Sequence, residues 1–322
     1  YAGRLRNQVS FMLSACNFYM PIFEEALDAY GLPLELRYLP IIESALNPSA
    51  VSRAGASGLW QFMIGTGKIY GLESNSLVDE RRDPIKATWA AARYLKEMYD
   101  IYGDWNLVIA AYNCGPGTIN KAIRRANGET DYWKIYNYLP KETRGYVPAF
   151  IAANYVMTYY CDHNICPMET NIPASTDTVQ VNKNLHFEQI ADLCNVPLDQ
   201  IKSLNPQYKK QMIPGDSKPY TLRLPIDAIS TFIDKQDTIY THRADELFRN
   251  RKTVAVKDIT PATRKTTSAV AGKGNLTYYT IKSGDTLSTI ARKYGVTIKD
   301  IQRWNGMSST KIAAGKRLKI YK

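Results

Sequence analysis

The chain has 322 residues, 45% of them apolar, which allows two or three domains and a sizeable core. No run of eighteen apolar residues occurs, which excludes a transmembrane helix. The net charge of +11 falls within residues 227–322, which carry 19 Lys and Arg against 8 Asp and Glu; without a dense basic and aromatic module, nucleic acid is set aside, leaving an extended anionic partner such as a membrane face or cell-wall polymer.

In chain order, Met20-Pro21-Ile22-Phe23 opens a helix that Gly31 stops, and Leu34 to Leu46 forms the next, with Pro40 as a kink. Asp83-Pro84 pairs a cap with Pro in the first turn, and Ala87, Ala90, Ala91, Tyr94, Leu95 and Met98 continue at helical spacing. Asp104 caps a helix through Tyr112, and a last helix runs from about Pro140 to Tyr160. Residues 1–170 therefore read as an all-α domain with loops at 47–58 and 113–118.

The second half changes character. Tyr278-Tyr279-Thr280-Ile281 alternates like a strand, Ser283-Gly284-Asp285 turns, helices follow at 286–295 and 296–305, and a strand closes at 315–320. Phe187–Val196, Leu198–Asn205 and Leu222-Arg223-Leu224 match this unit's helices and last strand, which makes an internal repeat. The expected order is thus an all-α domain at 1–170, a degenerate strand–helix–helix–strand module at 178–226, a basic linker at 227–276 and a second module at 277–322. The fold class is α+β and multidomain.

The five cysteines are an odd number, so at least one is unpaired or intermolecular. Cys161 and Cys166 suit a local disulfide or two free thiols better than a zinc site, because a second ligand pair is missing. The 23 tyrosines are compatible with sugar-holding aromatic faces and with ordinary core packing. No signal-peptide pattern opens the chain, and it begins at Tyr1 instead of Met, so an upstream targeting segment stays open.

Glu43 is the leading catalytic candidate. It ends the apolar run Ile41-Ile42-Glu43-Ser44 just before Asn47-Pro48, and Gly55-Ala56-Ser57-Gly58-Leu59-Trp60-Gln61-Phe62 follows. Apolar surroundings disfavour the charged carboxylate and raise its pKa, as a general acid needs near neutral pH. The alternative is a solvated helix-end carboxylate or half of a surface ion pair.

Four motifs, in order over some 140 residues, carry a family resemblance: Leu32-Pro33-Leu34-Glu35-Leu36 with Leu39–Ser44; Gly55–Phe62; Ala110-Ala111-Tyr112-Asn113-Cys114-Gly115-Pro116-Gly117; and Glu142-Thr143-Arg144-Gly145-Tyr146-Val147. Residues 20–160 resemble the catalytic domain of lytic transglycosylases of the soluble type, and most of all the membrane-bound transglycosylase D subgroup. The 277–321 unit resembles the LysM module, a binder of GlcNAc-containing glycans, and the 178–225 unit is similar but degenerate.

The resemblance implies a lysozyme-like fold and cleavage of the MurNAc–GlcNAc β-1,4 bond of peptidoglycan without water, leaving a 1,6-anhydro-MurNAc end. Glu43 would act as acid and then base. Ser52 would orient it, Gln61 would hold sugar acetamides, Tyr112 would position the sugar and Tyr146 would face the cleft. Asn113 would bind substrate or serve the turn alone. The alternatives are a surface amide for Gln61 and a core role for Tyr112. Trp60 would pack or touch sugar. Glu142 would support Tyr146 or, beside Glu43, supply a second carboxylate.

The implied partner is the peptidoglycan glycan strand, with retention on the wall by LysM and no metal or organic cofactor. The implied setting is the periplasm, with outer-membrane attachment through a removed N-terminal segment as an open option. Oligomeric state has no signal in the sequence. A hydrolytic goose-type lysozyme and a non-catalytic wall-binding scaffold are the competing readings.

Overall fold

A computed structural model describes residues 1–169, 172–173, 175–248, 276–282, 285–305, 307, 312–313 and 315–321. The basic centre of the expected linker, 249–275, and Ser283-Gly284 of the expected turn lie outside these residues. The chain divides into two compact units, Tyr1–Pro261 and Ala262–Lys322.

The first unit opens with α1, Arg6–Ala29. The helix expected to begin at Met20 starts a full fourteen residues earlier because Val9, Met12, Leu13, Tyr19, Phe23 and Leu27 keep one buried face, with Pro21 accommodated inside. Leu34–Tyr38 forms a 3-10 turn and Leu39–Ser44 forms α2. Pro40 does not kink a longer helix; it stands in the first turn of α2, where no N–H is missed. Short α3, Ile64–Ile69, leads to α4, Pro84–Tyr102. The side chain of Asp83 caps α4, accepting from the N–H groups of Ile85 and Lys86 at 3.0 Å. Asp104 likewise caps α5, Trp105–Cys114, through the Leu107 N–H at 2.8 Å. Then come α6, Pro116–Arg125, α7, Tyr132–Ile135, and α8, Lys141–Thr158. These helices enclose one apolar core, with Phe23, Leu39, Trp60, Leu95 and Val147 fully buried, and α2 and α5 both pack on α8.

A second core follows. Strands β1, Thr176–Val181, and β4, Tyr220–Pro225, pair antiparallel from Thr176 opposite Pro225 to Val181 opposite Tyr220. Between them lie β2, Asn184–His186, paired with β3, Met212–Pro214, and the helices α9, Phe187–Cys194, and α10, Leu198–Leu204. The expected linker does not begin at residue 227. Residues Ile226–Asp234, Gln236–Thr241 and Ala244–Leu247 form α11, α12 and α13, because Ala228, Phe232 and Ile239 bury against this core.

In the second unit, β5, Leu276–Thr280, pairs antiparallel with β6, Arg317–Tyr321, around α14, Leu287–Tyr294, and α15, Ile298–Trp304. The repeat shows in one clamp. The Asn205 amide donates to the Arg223 carbonyl and accepts from the Arg223 N–H, both at 2.8 Å. Asn305 bonds Lys319 in the same way, at 2.8 and 2.7 Å.

Phe232 is fully buried in α11. Replacing it with Ala should destabilise the first unit by about 3 kcal/mol in denaturant unfolding, a large aromatic cavity in a closed core. A change within experimental error would return 227–248 to linker status.

Candidate active site

Glu43 lies one residue from the end of α2, whose last turn is closed by Ala45 in the left-handed region at φ 51°. Leu46 follows at φ 58°, and Gln61 on the facing loop has φ 48°. Such a backbone costs a non-glycine residue about 1–2 kcal/mol and is held by surrounding contacts. Here the contacts are visible. Ser44 Oγ donates to the Leu59 carbonyl at 2.9 Å, tying the end of α2 to the 55–62 loop. Leu46 itself is buried.

The hydroxyl of Tyr146, on α8, donates to Glu43 Oε1. Burial pushes the Glu43 carboxyl up to about 7; the Tyr146 bond opposes this, and the negative charge of Glu142 adds to it. Glu142 is exposed, one helical turn before Tyr146. Tyr146 and Tyr112 are held far above the ordinary phenol range, first by burial and then by the Glu43 charge. Both therefore remain hydrogen-bond donors.

Tyr112 donates to the Trp60 carbonyl at 2.7 Å and packs its ring 5.5 Å from Tyr94. Tyr112 also lines a cavity of about 270 Å³ with Gln61, Phe62, Met63, Tyr94 and Asn113. Gln61 turns its amide nitrogen into its own loop, donating to Ala50 and Gly58 carbonyls at 3.2 and 2.8 Å. Asn113 accepts from Thr143 Oγ1 at 2.8 Å, joining α5 to α8.

Of the residues singled out from sequence, Glu43, Tyr112 and Tyr146 thus form one cluster, with Gln61 and Asn113 at the adjoining cavity. Ser52 is different. Its hydroxyl accepts from the Ala56 N–H at 3.0 Å and its backbone closes the same turn, so among the described residues it bonds its own loop and not Glu43. Ser44, the residue after Glu43, is the serine that ties the end of α2 to the facing loop. Its signal was the i−4 bond that a helix-end serine makes to a carbonyl, here Pro40 at 3.0 Å. Trp60 is fully buried against Phe23 and donates to Thr88 Oγ1 at 2.9 Å, a packing position. Cys161 and Cys166 are both free and exposed.

A second residue absent from the sequence reading is Arg81. It is 5% exposed, and its Nη1 donates to the carbonyls of Gly55 at 2.8 Å and Phe62 at 2.9 Å, the two ends of the loop. Gly58 lies so close to this segment that an added Cβ would stand 1.8 Å from the Arg81 carbonyl oxygen; its φ of 88° also suits glycine.

A helical domain that seats one half-buried glutamate between two tyrosines, joined to small strand–helix–helix–strand modules, is the class defined by fold and site. Comparison with known proteins makes it particular. Residues 20–135 match the Transglycosylase SLT domain, 175–241 the LysM-like domain of lytic transglycosylase MltD, and 279–320 the LysM domain. Each of these segments is thus similar to the family whose model it matches, as the sequence motifs implied.

It is 33% identical over 294 residues to the membrane-bound lytic murein transglycosylase D of Escherichia coli K12, an alignment covering 90% of this chain and 60% of that protein. The chain thus spans less than two thirds of that curated relative. The soluble lytic murein transglycosylase of the same organism is 33% identical over 124 residues, 37% of this chain and 19% of that one. Among solved structures, the 70-kDa soluble lytic transglycosylase of E. coli aligns at 29% identity over 44% of this chain and 24% of its own, with a TM-score of 0.39.

The raised Glu43 carboxyl has a stability consequence. Its neutral form is favoured in the fold, so its contribution is complete below the unfolded carboxyl's pKa and is lost as pH rises through about 7. Relative to wild type, Glu43→Gln should therefore gain about 2–3 kcal/mol between pH 4.5 and pH 8, read by denaturant unfolding at both values. A difference independent of pH would mean that the carboxyl titrates normally.

Proposed function

We propose that this chain is a peptidoglycan lytic transglycosylase that acts in the cell envelope on MurNAc–GlcNAc β-1,4 bonds. The observation that carries the reading is the Glu43 carboxyl, raised to about 7 by burial and in contact with Tyr146. A protonated carboxyl can give its proton to the glycosidic oxygen as the C1–O bond breaks. The resulting carboxylate then takes the proton of the same sugar's C6 hydroxyl as O6 bonds to C1, so the proton is returned and the product is a 1,6-anhydro-MurNAc end. An intramolecular nucleophile removes the need to position water and gains from proximity.

The names of the relatives, both lytic murein transglycosylases, support the substrate class. Tyr146 and Tyr112 serve as fixed donors beside the carboxylate. The open cavity at Gln61 and Asn113 receives the adjoining sugar. The LysM module at 279–320 holds the glycan strand, and the relative named as membrane-bound supports a membrane-associated setting in the cell envelope.

Glu43→Gln should cut product release from purified sacculi by about 10²- to 10⁴-fold, the usual contribution of general acid–base catalysis. Mass spectrometry of wild-type products should show anhydro ends; reducing MurNAc ends would assign a hydrolase instead, and cleavage by Glu43→Gln at the wild-type rate would reject the mechanism.

Glu142 is the observation that favours the hydrolytic reading, since its charge reaches Glu43. The two readings differ in pH profile. If Glu142 acts only through its charge, Glu142→Gln stays active and the alkaline fall of the rate moves to lower pH. Tyr146→Phe removes a bond that favours the carboxylate and moves the same limb to higher pH. Loss of all activity in Glu142→Gln would instead support a second catalytic carboxylate.

A further inference from the structure

The first strand–helix–helix–strand module is joined to the helical domain by more than chain continuity. Leu77 and Val78, between α3 and α4, belong to the module's core cluster. Val78 bridges Tyr208, the Asp79 N–H donates to the Gln207 carbonyl at 2.9 Å, and the Lys209 N–H donates to the Leu77 carbonyl at 2.8 Å. The 205–209 loop of the module therefore continues the backbone pairing of the 77–79 segment.

Charged groups extend this contact inward. Asp79, 2% exposed, holds the Arg81 guanidinium through two bonds, Nε to Oδ1 at 2.9 Å and Nη2 to Oδ2 at 2.8 Å. Lys209 stands over the same carboxylate at 3.7 Å and donates to the Asn75 carbonyl at 2.7 Å. Burial raises the Asp79 carboxyl, but Arg81, Lys209 and Arg82 outweigh it and leave it below the usual range, so the cluster is ionised at neutral pH. The remaining Arg81 nitrogen grips Gly55 and Phe62. Between those two residues, the Leu59 carbonyl receives Ser44, the next residue after Glu43, and the Trp60 carbonyl receives Tyr112, which feels the Glu43 charge. An unbroken series of bonds thus runs from the module to both neighbours of the candidate acid.

We propose that the first module is a buttress of the catalytic cleft and not a wall tether, with Lys209 and Asp79 as positioning residues that hold Arg81 and the 55–62 loop. This rests on the transglycosylase reading for its effect on turnover, but not for its effect on the loop. The 205–209 loop and Tyr220, which donates to Glu73 at 3.0 Å, are committed to the helical domain.

The test uses the full chain with Lys209→Met, Lys209→Arg and, as a control on the same docking face, Lys218→Met, whose lysine pairs with Glu73 at 2.6 Å and has no bond to Arg81. Three quantities are measured: amide hydrogen exchange at 55–62, turnover of soluble peptide-free glycan strands, and retention on sacculi. In Lys209→Met, exchange at 55–62 should quicken about tenfold. Its kcat should fall about fivefold or more with KM within about twofold, while retention stays within about twofold. Lys209→Arg should restore the first two, and Lys218→Met should leave exchange at 55–62 unchanged.

Should Lys209→Met fail to fold, Lys209→Gln replaces it, keeping a donor for Asn75 but removing the charge beside Asp79. Unchanged exchange in the Lys209 variant, or loss of retention with unchanged turnover, overturns the proposal. If wild type releases no product, the transglycosylase reading fails while hydrogen exchange still decides this one.

Discussion

The site depends on removing water from a carboxyl without giving it a cationic partner. A buried carboxylate is usually rescued by Lys or Arg, which would lower its pKa. Around Glu43 the protein supplies a phenol, Tyr146, and an exposed carboxylate, Glu142, so burial prevails and the proton is retained to about pH 7. Much of the local architecture serves that condition. Two left-handed residues, Ala45 and Leu46, end α2 after Ser44, and the buried Leu46 closes the turn.

Cations appear instead at the base of the glycine-rich loop. Arg81 is fully engaged by Asp79 and by the carbonyls of Gly55 and Phe62, and Lys209 adds to the same cluster. The arrangement stiffens the glycine-rich loop from its base while leaving its tip to meet Ser44 and Tyr112. A buried ion pair is a poor source of net stability but a strict geometric constraint, because misplacing one charge leaves the other unpaired. Such a pair is better suited to holding a loop in register than to holding a domain together, and the apolar core of Phe23, Leu39, Trp60 and Val147 supplies the latter.

What the sequence revealed follows the range of the interactions. Glu43 and the Gly55–Phe62 run were legible because local composition carries them: an apolar helix end, then glycine and aromatics. The caps at Asp83 and Asp104 were legible for the same reason. Ser52 was misplaced because its nearest donor is the amide of Ala56, four residues on, and a short turn outcompetes a distant carboxylate. The loop-holding role of Arg81 was missed because the partners it grips there lie 19 and 26 residues away and are carbonyls, which any sequence offers everywhere. The helices after residue 226 were hidden by charge. Ala228, Phe232 and Ile239 give one apolar stripe inside a polar segment, and the stripe acquires meaning only against α9 and the β1–β4 sheet.

The two repeated modules make the last point about fold and use. Both close the sheet with the same asparagine clamp, Asn205 to Arg223 and Asn305 to Lys319, so their scaffolds are equivalent where it matters for folding. In the first module, the loop after the second helix makes contacts within its own unit. In the first module Gln207, Tyr208 and Lys209 are spent on the 75–79 segment of the helical domain. Backbone groups already paired with the 75–79 segment are not available to another partner, whatever family the scaffold resembles. Asn184-Leu185-His186, which stand in place of a Gly-Asp turn, pair instead with Met212–Pro214 inside the module, so the departure in sequence and the docking contact lie on different loops.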